Sequence, residues 1–412
     1  MTLQSLTSSS VIRPKSRVES AGLALGARMR ATALILTTIV MVANASVPAR
    51  AEVMIDLWND LRIGFGSGNF DATSFSGQIE DARLYAGDEL ILTASALDIE
   101  SDGRPSDGNW KVRRLDMRDA NFVADNLTAG HVLVENFDLG ALRGISTVSA
   151  FDDGLSDNSS ARIADVRYTG HSADVTVETF RTLPFSFNNL PNGTRYAKFG
   201  GFGIDGLTVI PRTISDDAQP YVDVMQDAGF TDVTMDLEIA QKTDLVLGEL
   251  HSQQQVALGL RDLGTVQLVA DVKLQLDTFD KLVAFGVGEP DAVGSVLDLL
   301  GEIELARLSL NYDDLGLVAL AMQLRAVETG DNLDSIRQTM LAELQENVTD
   351  IFPRNGAMIY PPLEKIITQS GSVRLRVEPR SSVPLSNMLG FMIMPDLALD
   401  QLNVKLVHVT AP

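Results

Sequence analysis

The chain contains no cysteine in its 412 residues. Disulfide bonds, thiolate metal ligands and cysteine nucleophiles are therefore excluded. A chain of this length can bury a core that needs no covalent cross-link, and hydrophobic residues make up 45% of it. This composition is typical of a globular protein with one large domain or two medium ones, and it argues against a disordered chain.

Basic residues are in short supply: 33 Lys and Arg stand against 55 Asp and Glu, for a net charge of −22. Residues 1–51 hold six of the basic residues and one acidic residue, so the remainder carries 27 basic and 54 acidic residues. A surface this negative repels nucleic-acid backbones and anionic lipid headgroups. We therefore expect no nucleic-acid partner.

Long apolar runs are also scarce, and the one that stands out runs from Ala31 to Val47. It follows a basic segment at Arg28–Arg30, and Ala49-Arg50-Ala51 supplies the small residues that signal peptidases recognise. The sequence thus predicts a signal peptide over residues 1–51, with Met29 as an alternative start. The run is shorter than the roughly 20 residues of a comfortable membrane span, so an anchor kept uncleaved is the weaker alternative. We expect an exported, periplasmic protein without a stable membrane span.

Alternation of apolar and polar residues dominates from about residue 72 to 312, and it predicts a mainly β (α+β) protein. A long antiparallel sheet with one wet side, curled or forming a groove, fits this pattern better than a parallel sheet does. The clearest example places apolar side chains on one side of a single segment. These residues, our candidate ligand-binding face, are Val266, Leu268, Val272, Leu274 and Leu276.

A short motif recurs with the pattern apolar, any residue, Asp, small or apolar, any residue, apolar. Its four Asp residues are Asp81, Asp119, Asp165 and Asp232. Their spacing is irregular, which argues against a repeating solenoid. Four acidic ligands would be one interpretation. We favour the other, in which each Asp bends the chain and binds local backbone N–H groups at the start of a strand.

The C-terminal third changes to helical spacing. Apolar residues from Leu333 to Ile351 predict an amphipathic helix with Asp331 or Asp334 as N-cap and a stop at Pro353. Further helices are predicted over 317–327 and 363–367, and strands over 303–312, 373–377 and 402–406. We divide the mature chain into a β-rich region, 52–230, and a strand-helix-helix-strand region, 231–412, that continues the same sheet.

The sequence contains no convincing motif that carries chemistry. Gly201-Phe202-Gly203-Ile204-Asp205-Gly206 matches the dinucleotide fingerprint, but a β-branched run ending at Pro211 follows it where a helix is required. The four histidines are scattered singly, and none of the short motifs of serine hydrolases or zinc proteases occurs. We predict no catalytic residue, no cofactor and no metal site.

One acidic loop could bind calcium, because Asp152, Asp153, Asp157 and Asn158 lie close together in sequence. The loop lacks the regular alternation of oxygen ligands and the closing Glu of an EF-hand. We interpret it as a solvated turn.

The C-terminal half resembles a group of uncharacterised exported Gram-negative proteins over about residues 230–409. The segments that carry this resemblance are 314–317, 332–337, 372–379 and 383–385. The upstream strands are similar, more loosely, to AsmA-type envelope proteins, whose long sheets curl into an apolar groove. The resemblance implies no catalytic residue, and the chain departs from the AsmA type by having a cleavable signal in place of a membrane anchor.

Two functions are compatible with these patterns. The first is a non-enzymatic binding or scaffold protein of the cell envelope that handles lipid, or meets an envelope protein, through its apolar face. The alternative is an envelope glycan hydrolase whose two carboxylates meet only in the fold. Aromatic residues make up only 6% of the chain, which argues against a sugar-stacking cleft.

The signal peptide gives a first testable prediction. When the full chain is produced in a Gram-negative host, the protein recovered from the periplasm should begin at Glu52, because cleavage follows Ala51. Intact mass and N-terminal sequencing check this. A mature protein that still carries residues 31–51 would contradict it, and an Ala51→Gln variant, which offers the peptidase a larger residue, should accumulate uncleaved.

Overall fold

The computed structural model describes residues 53–56, 61–71, 73–103, 111–123, 126–138, 155–286 and 296–410. The predicted signal peptide lies outside these ranges. So do Asp152 and Asp153, two of the four candidate calcium ligands.

Within the described ranges, seventeen strands form one antiparallel sheet. They are β1 (Val53–Asp56), β2 (Leu61–Phe65), β3 (Ser67–Asp71), β4 (Ser76–Ala86), β5 (Glu89–Ser101), β6 (Lys111–Phe122), β7 (Leu127–Asp138), β8 (Leu155–Thr169), β9 (Ala173–Asn189), β10 (Arg195–Pro211), β11 (Thr234–Val246), β12 (Glu249–Leu260), β13 (Gly264–Gln275), β14 (Ile303–Asp314), β15 (Gly371–Val377), β16 (Val383–Pro384) and β17 (Val404–Val409). From β4 to β14 each strand pairs with the next one along the chain. At the ends, β2 and β3 pair with β4, β15 and β16 with β14, and β17 with β15.

Helices follow only after β10 in the described chain. They are α1 (Gln219–Asp227), α2 (Leu276–Gly286), α3 (Val296–Glu302), α4 (Leu317–Thr329), α5 (Leu333–Ile351), α6 (Gly356–Gln369), α7 (Asn387–Ile393) and α8 (Pro395–Leu402). The predicted fold class, mainly β with a long antiparallel sheet and C-terminal helices, is confirmed. The sheet continues across residue 230 through the β10–β11 pair. The division at that residue remains a prediction.

Several helix details differ from expectation. The N-cap of α5 is Asn332, whose extended backbone lets its side chain accept a hydrogen bond from the Ser335 N–H at 2.9 Å; Asp331 and Asp334 do not cap it. Residue 402, predicted to begin a strand, is instead the last residue of α8. The strand β17 begins only at Val404, after Asn403 ends the helix in a left-handed conformation.

One side of the sheet is apolar across its whole width. In an antiparallel ladder, residues directly opposite one another lie on the same side. Leu268 on β13 faces Val256 on β12 and Leu310 on β14, and the same side continues through Ile239 on β11 to Phe202 on β10. The sheet therefore has one apolar and one polar side, as the alternation predicts.

The strands β4 to β8 share one break in this alternation at an aligned position. In each of them, two consecutive residues lie on the polar side, so the apolar residues that flank them are three positions apart instead of two. The flanking pairs are Ile79 and Ala82, Ala94 and Leu97, Met117 and Ala120, Ala129 and Val132, and Ile163 and Val166, and all are buried. Because these pairs face one another in the ladders, the extra residues form a continuous line, which we call the crease.

The repeated Asp motif builds the crease. Asp81, Asp119 and Asp165 have φ values of 54°, 48° and 53°, in the left-handed region that Asp tolerates better than most residues. They lie in the middle of β4, β6 and β8, so our placement of these residues at strand starts was wrong, whereas the expectation that they bend the chain fits their backbone. Asp232 alone lies just before a strand, β11.

Small residues face each of these aspartates on the neighbouring strand. The Ser95 hydroxyl donates a hydrogen bond of 2.7 Å to Asp119 Oδ2. A methyl group added to Gly66 or Gly130 would lie 3.0 Å from the side chain of Asp81 or Asp165. The aspartate side chains thus lie across the adjacent strand, which explains why the facing positions hold little or no side chain.

The crease ends between β10 and β11. On β10 the apolar residues Ile204 and Leu207 are still three apart, but their partners on β11, Leu237 and Met235, are two apart. The extra residue on β10 is accommodated by Gly206, which has φ 68°. From β11 onward the strands alternate regularly up to an irregularity between β13 and β14.

The apolar side of the creased strands β4 to β8 is well buried. Val112, Val134 and Ile163 are 0–1% exposed. We attribute this burial to curvature of the sheet, since extra residues bend strands and wide twisted sheets tend to curl.

The crease predicts the effect of substitutions at Asp119. Asp119→Val should destabilise the protein by about 1–2 kcal/mol, because a β-branched residue disfavours the left-handed backbone and the hydrogen bond from Ser95 is lost. Asp119→Asn, which keeps both features, should change stability by less than about 0.5 kcal/mol. Urea denaturation measures the difference.

The matched control is Asn121→Val, an exposed position with ordinary backbone on the same strand. It should be neutral or slightly stabilising, since valine favours strands. Equal effects of valine at the two positions would contradict the role of the crease.

Candidate functional site

The apolar side of β11 to β14 is more exposed than the creased part of the sheet. Its residues are only half-buried, and Leu258 is 37% exposed. We call this set the open apolar surface. It consists of Met235, Leu237, Ile239, Val256, Leu258, Val266, Leu268 and Leu310.

The exposure of this surface is unusual for apolar side chains in a sheet. On β11, Leu237 and Ile239 are half-buried, and so are their neighbours on the polar side, Asp236 and Glu238. Apolar strand faces are ordinarily covered by another layer. Here the apolar side is only half-buried, so this surface is our candidate site.

The structure divides the five predicted site residues. Val266 and Leu268 belong to the open apolar surface and are half-buried. Val272 and Leu274 lie in hydrophobic clusters beneath helices. Leu276 is the first residue of α2 and does not belong to β13 as predicted, because the strand ends at Gln275 and Asp277 lies in the first helical turn.

One end of the open apolar surface is closed by α2. Leu250 and Leu274 are buried there with Leu190 and Tyr196, and Phe279 of α2 packs on the cluster. The β9–β10 loop is tied to the same helix. Asn192 and Thr194 donate hydrogen bonds of 2.7 and 3.0 Å to the Asp280 carboxylate.

The C-terminal helices cover the sheet beyond β14. Leu305 and Val377 are buried with Phe391 of α7 and Leu402 of α8. A further cluster places side chains of α5, α6 and α8 against Val404 and Leu406 of β17. The expectation that helices cover one end of the sheet agrees with these contacts.

Ion pairs cross the polar side where the crease ends. Arg261 donates to both oxygens of Glu178, at 2.6 and 2.8 Å, and also to Asp236. The hydrogen bonds from Arg261 hold the pKa of Glu178 below its ordinary value. Arg181 similarly bridges Asp205 and Glu238. These contacts connect the last creased strands to the first regular ones.

The dinucleotide-like motif lies entirely within β10, so its third glycine begins no helix. Its glycines have a structural explanation. A methyl group added to Gly201 would come within 2.2 Å of the Ile239 carbonyl oxygen, and one on Gly206 within 2.3 Å of Glu178. The motif thus allows close strand packing and the end of the crease.

The other polar candidates form local contacts. His131 Nε2 lies 2.9 Å from Asp116 Oδ1, and Asp157 accepts a hydrogen bond of 2.8 Å from the Phe187 N–H. The segment 155–160, predicted as part of a loop, belongs to β8. No group of three His, Asp or Glu residues suited to a metal ion occurs in the described part of the chain.

A shallow hollow of about 300 Å³ lies on the polar side of β11 to β13. Two lysines and two aspartates line it, and Lys242 Nζ lies 3.4 Å from Asp244 Oδ2. Because these opposite charges are equal in number, the hollow carries no strong field for a ligand.

Residues 225–408 match the model of a family described only as "Uncharacterized protein". This finding confirms the coarser part of the predicted resemblance, namely that a family without assigned function covers the C-terminal half. No curated protein matches the chain. The matched region begins within α1 and ends in β17, so it contains the whole open apolar surface and the helices beside it.

None of the helices in the described ranges combines the length and hydropathy that a membrane span requires.

Sequence reasoning missed the residues that complete the surface from neighbouring strands. Val256, Leu258 and Leu310 lie beside Leu268 and Val266 only because of the strand register. Alternation along β12 and β14 was the available signal. On β12 glutamines interrupt it, because Gln254 lies on the apolar side of the sheet, opposite Ala270.

The different surroundings of Val266 and Val272 give a testable prediction. Val272→Ala should cost about 2 kcal/mol of unfolding free energy, because it leaves a gap among packed side chains of two clusters. Val266→Ala should cost less than about 1 kcal/mol, since its side chain is less enclosed. Urea denaturation compares the two variants, and equal costs would contradict the assignment of Val266 to an open surface.

Proposed function

We propose that this protein is a non-enzymatic lipid-binding protein of the cell envelope, which holds acyl chains against the open apolar surface. The observation that carries the proposal is the exposure of Leu237, Ile239, Val266 and Leu268 on the apolar side of an otherwise well-covered sheet. Covering such a surface is worth about 25 cal/mol for each Å² removed from water. An acyl chain lying across the strands would supply that cover.

The looser similarity of the upstream strands to AsmA-type proteins supports the proposal, since an apolar groove is what that resemblance implies. We place the protein in the periplasm on the strength of the signal peptide that the sequence predicts.

Binding energies favour transfer over permanent storage. An acyl chain gains about 0.8 kcal/mol for each methylene removed from water, but a bilayer offers it the same gain. A chain moving from membrane to groove therefore exchanges one apolar environment for another. Such near balance lets a protein load and release lipid without another energy source.

The described residues give the hydrolase no comparable support. A glycosidase needs one carboxyl group whose pKa is raised so that it can act as an acid. The carboxyl groups with shifted pKa values in the described part are Asp71, Asp116, Glu178 and Glu343, and all four are lowered, mainly by hydrogen bonds from their neighbours. For Asp116, partial burial opposes this effect, and the hydrogen bonds from Arg114 and His131 outweigh it.

A matched pair of variants tests the proposal. Leu268 and Val269 are consecutive, equally half-buried residues on opposite sides of β13. Leu268→Glu should weaken binding of a fluorescent fatty acid or phospholipid about tenfold or more, because a carboxylate would lie where the acyl chain packs. Val269→Glu should leave binding unchanged.

The measurement is titration of the mature protein, purified without detergent, followed by native mass spectrometry and lipid extraction. Circular dichroism and urea denaturation confirm that both variants fold. Failure of the unaltered protein to bind any acyl-chain probe would refute the proposal, as would equal loss in the two variants.

A further inference from the structure

The C-terminal edge of the sheet carries three basic side chains on its polar side. Arg374 and Arg376 lie on β15 and Lys405 on β17, and all three are exposed. We call them the basic patch. Arg376 lies directly opposite Lys405 in the ladder, a pairing of like charges that destabilises a sheet.

The residues directly opposite the two arginines on β14 are uncharged: Asn311 faces Arg374 and Ser309 faces Arg376. Within the described ranges, none of the three basic groups forms an ion pair. In a chain with a net charge of −22, a cluster of basic side chains without ion pairs in the described ranges requires an explanation.

The strand beside this patch has a free edge. β17 pairs with β15 along Val404–Val409, and the described residues add no strand on its other side. Every second residue of such an edge directs its N–H and C=O groups away from the sheet, which makes it a template for another strand. Val407 and Val409, 50% and 39% exposed, lie on the same side as Lys405.

We propose that this edge binds an extended segment of a protein partner that pairs with β17 and carries acidic side chains on one side. Main-chain hydrogen bonds to β17 would supply the affinity, and acidic residues opposite Lys405 would supply the specificity. The apolar side of the added strand would continue the side on which Val404 and Leu406 pack against helices. This inference is independent of lipid binding, since it uses other residues.

An acidic protein segment suits this edge better than an anionic membrane does. Three basic residues are worth only about 1 kcal/mol each at an anionic bilayer, and the strongly negative remainder of the chain opposes approach to it. A single added strand contacts the protein only at the β17 edge of the sheet, where the local charge is positive.

The probe is a labelled peptide of alternating Glu and Val, about six residues long to match an ordinary strand. Fluorescence anisotropy should show binding to the full mature protein, and hydrogen exchange should slow at the amides of β17. The Arg374→Glu/Arg376→Glu/Lys405→Glu variant should bind it at least about tenfold more weakly, and should instead bind the matching peptide of Lys and Val.

Two controls separate strand pairing from simple attraction of charges. A version of the acidic peptide with alternate N-methylated amides keeps its charge but cannot pair, and it should not bind. The Arg118→Glu/Arg167→Glu/Lys198→Glu variant reverses three exposed basic residues on other strands and should bind the acidic peptide as the unaltered protein does.

The remaining outcomes overturn the inference. Equal binding of the N-methylated peptide would show that the peptide binds by non-specific charge attraction and not by strand pairing. Binding of vesicles of phosphatidylcholine and phosphatidylglycerol through the same three residues, without binding of the peptide, would assign the patch to membranes. Should the charge-reversed variant fail to fold, Arg376→Gln alone, which relieves the repulsion with Lys405, still has to weaken peptide binding.

Discussion

A sheet with one apolar side must keep that side from water, and this requirement organises the whole described chain. Along β4 to β8 this side is buried, with apolar pairs such as Met117 and Ala120 almost fully covered, and we attribute this to a bend of the sheet at the crease. Beyond β14 the helices meet the requirement, since α6, α7 and α8 pack against the last strands. Between them, on β11 to β13, neither the crease nor the helices cover the apolar side fully, and its residues are only half-buried. The candidate site is therefore the part of the apolar side that lies between the creased strands and the strands covered by helices.

The transition between the two parts depends on a few residues. Gly206 absorbs the last extra residue of the crease, and the ion pairs of Arg181 and Arg261 bind the strands on both sides of it. The region that matches a protein family, 225–408, starts just after this transition. The family match thus coincides with the regular strands and their helices, the part of the molecule for which we propose lipid binding.

Much of this fold could be predicted from alternation, because a half-wet sheet imposes a two-residue period that survives in segments such as 266–274. The long helix α5 was equally visible from its apolar spacing. The crease was not, because left-handed backbone at Asp81 or Asp119 leaves no signature that separates it from a turn. Short helices such as α2 and α8 escaped for a related reason: 11 and 8 residues are too few to establish a period, and Leu276 continues the strand pattern by chance. The openness of the site could not be predicted at all, since burial depends on which layers cover a strand and not on the strand itself.

The crease has one aspartate on every second strand, namely on β4, β6 and β8, and a small residue faces each aspartate. A hairpin that contains one copy of the motif would therefore fit into the array at any point without disturbing its neighbours. Adjacent strands lie about 4.8 Å apart, so each added hairpin would lengthen the molecule by about 10 Å at constant cross-section. Length in this architecture is a modular quantity, adjustable through duplication of a segment of about forty residues.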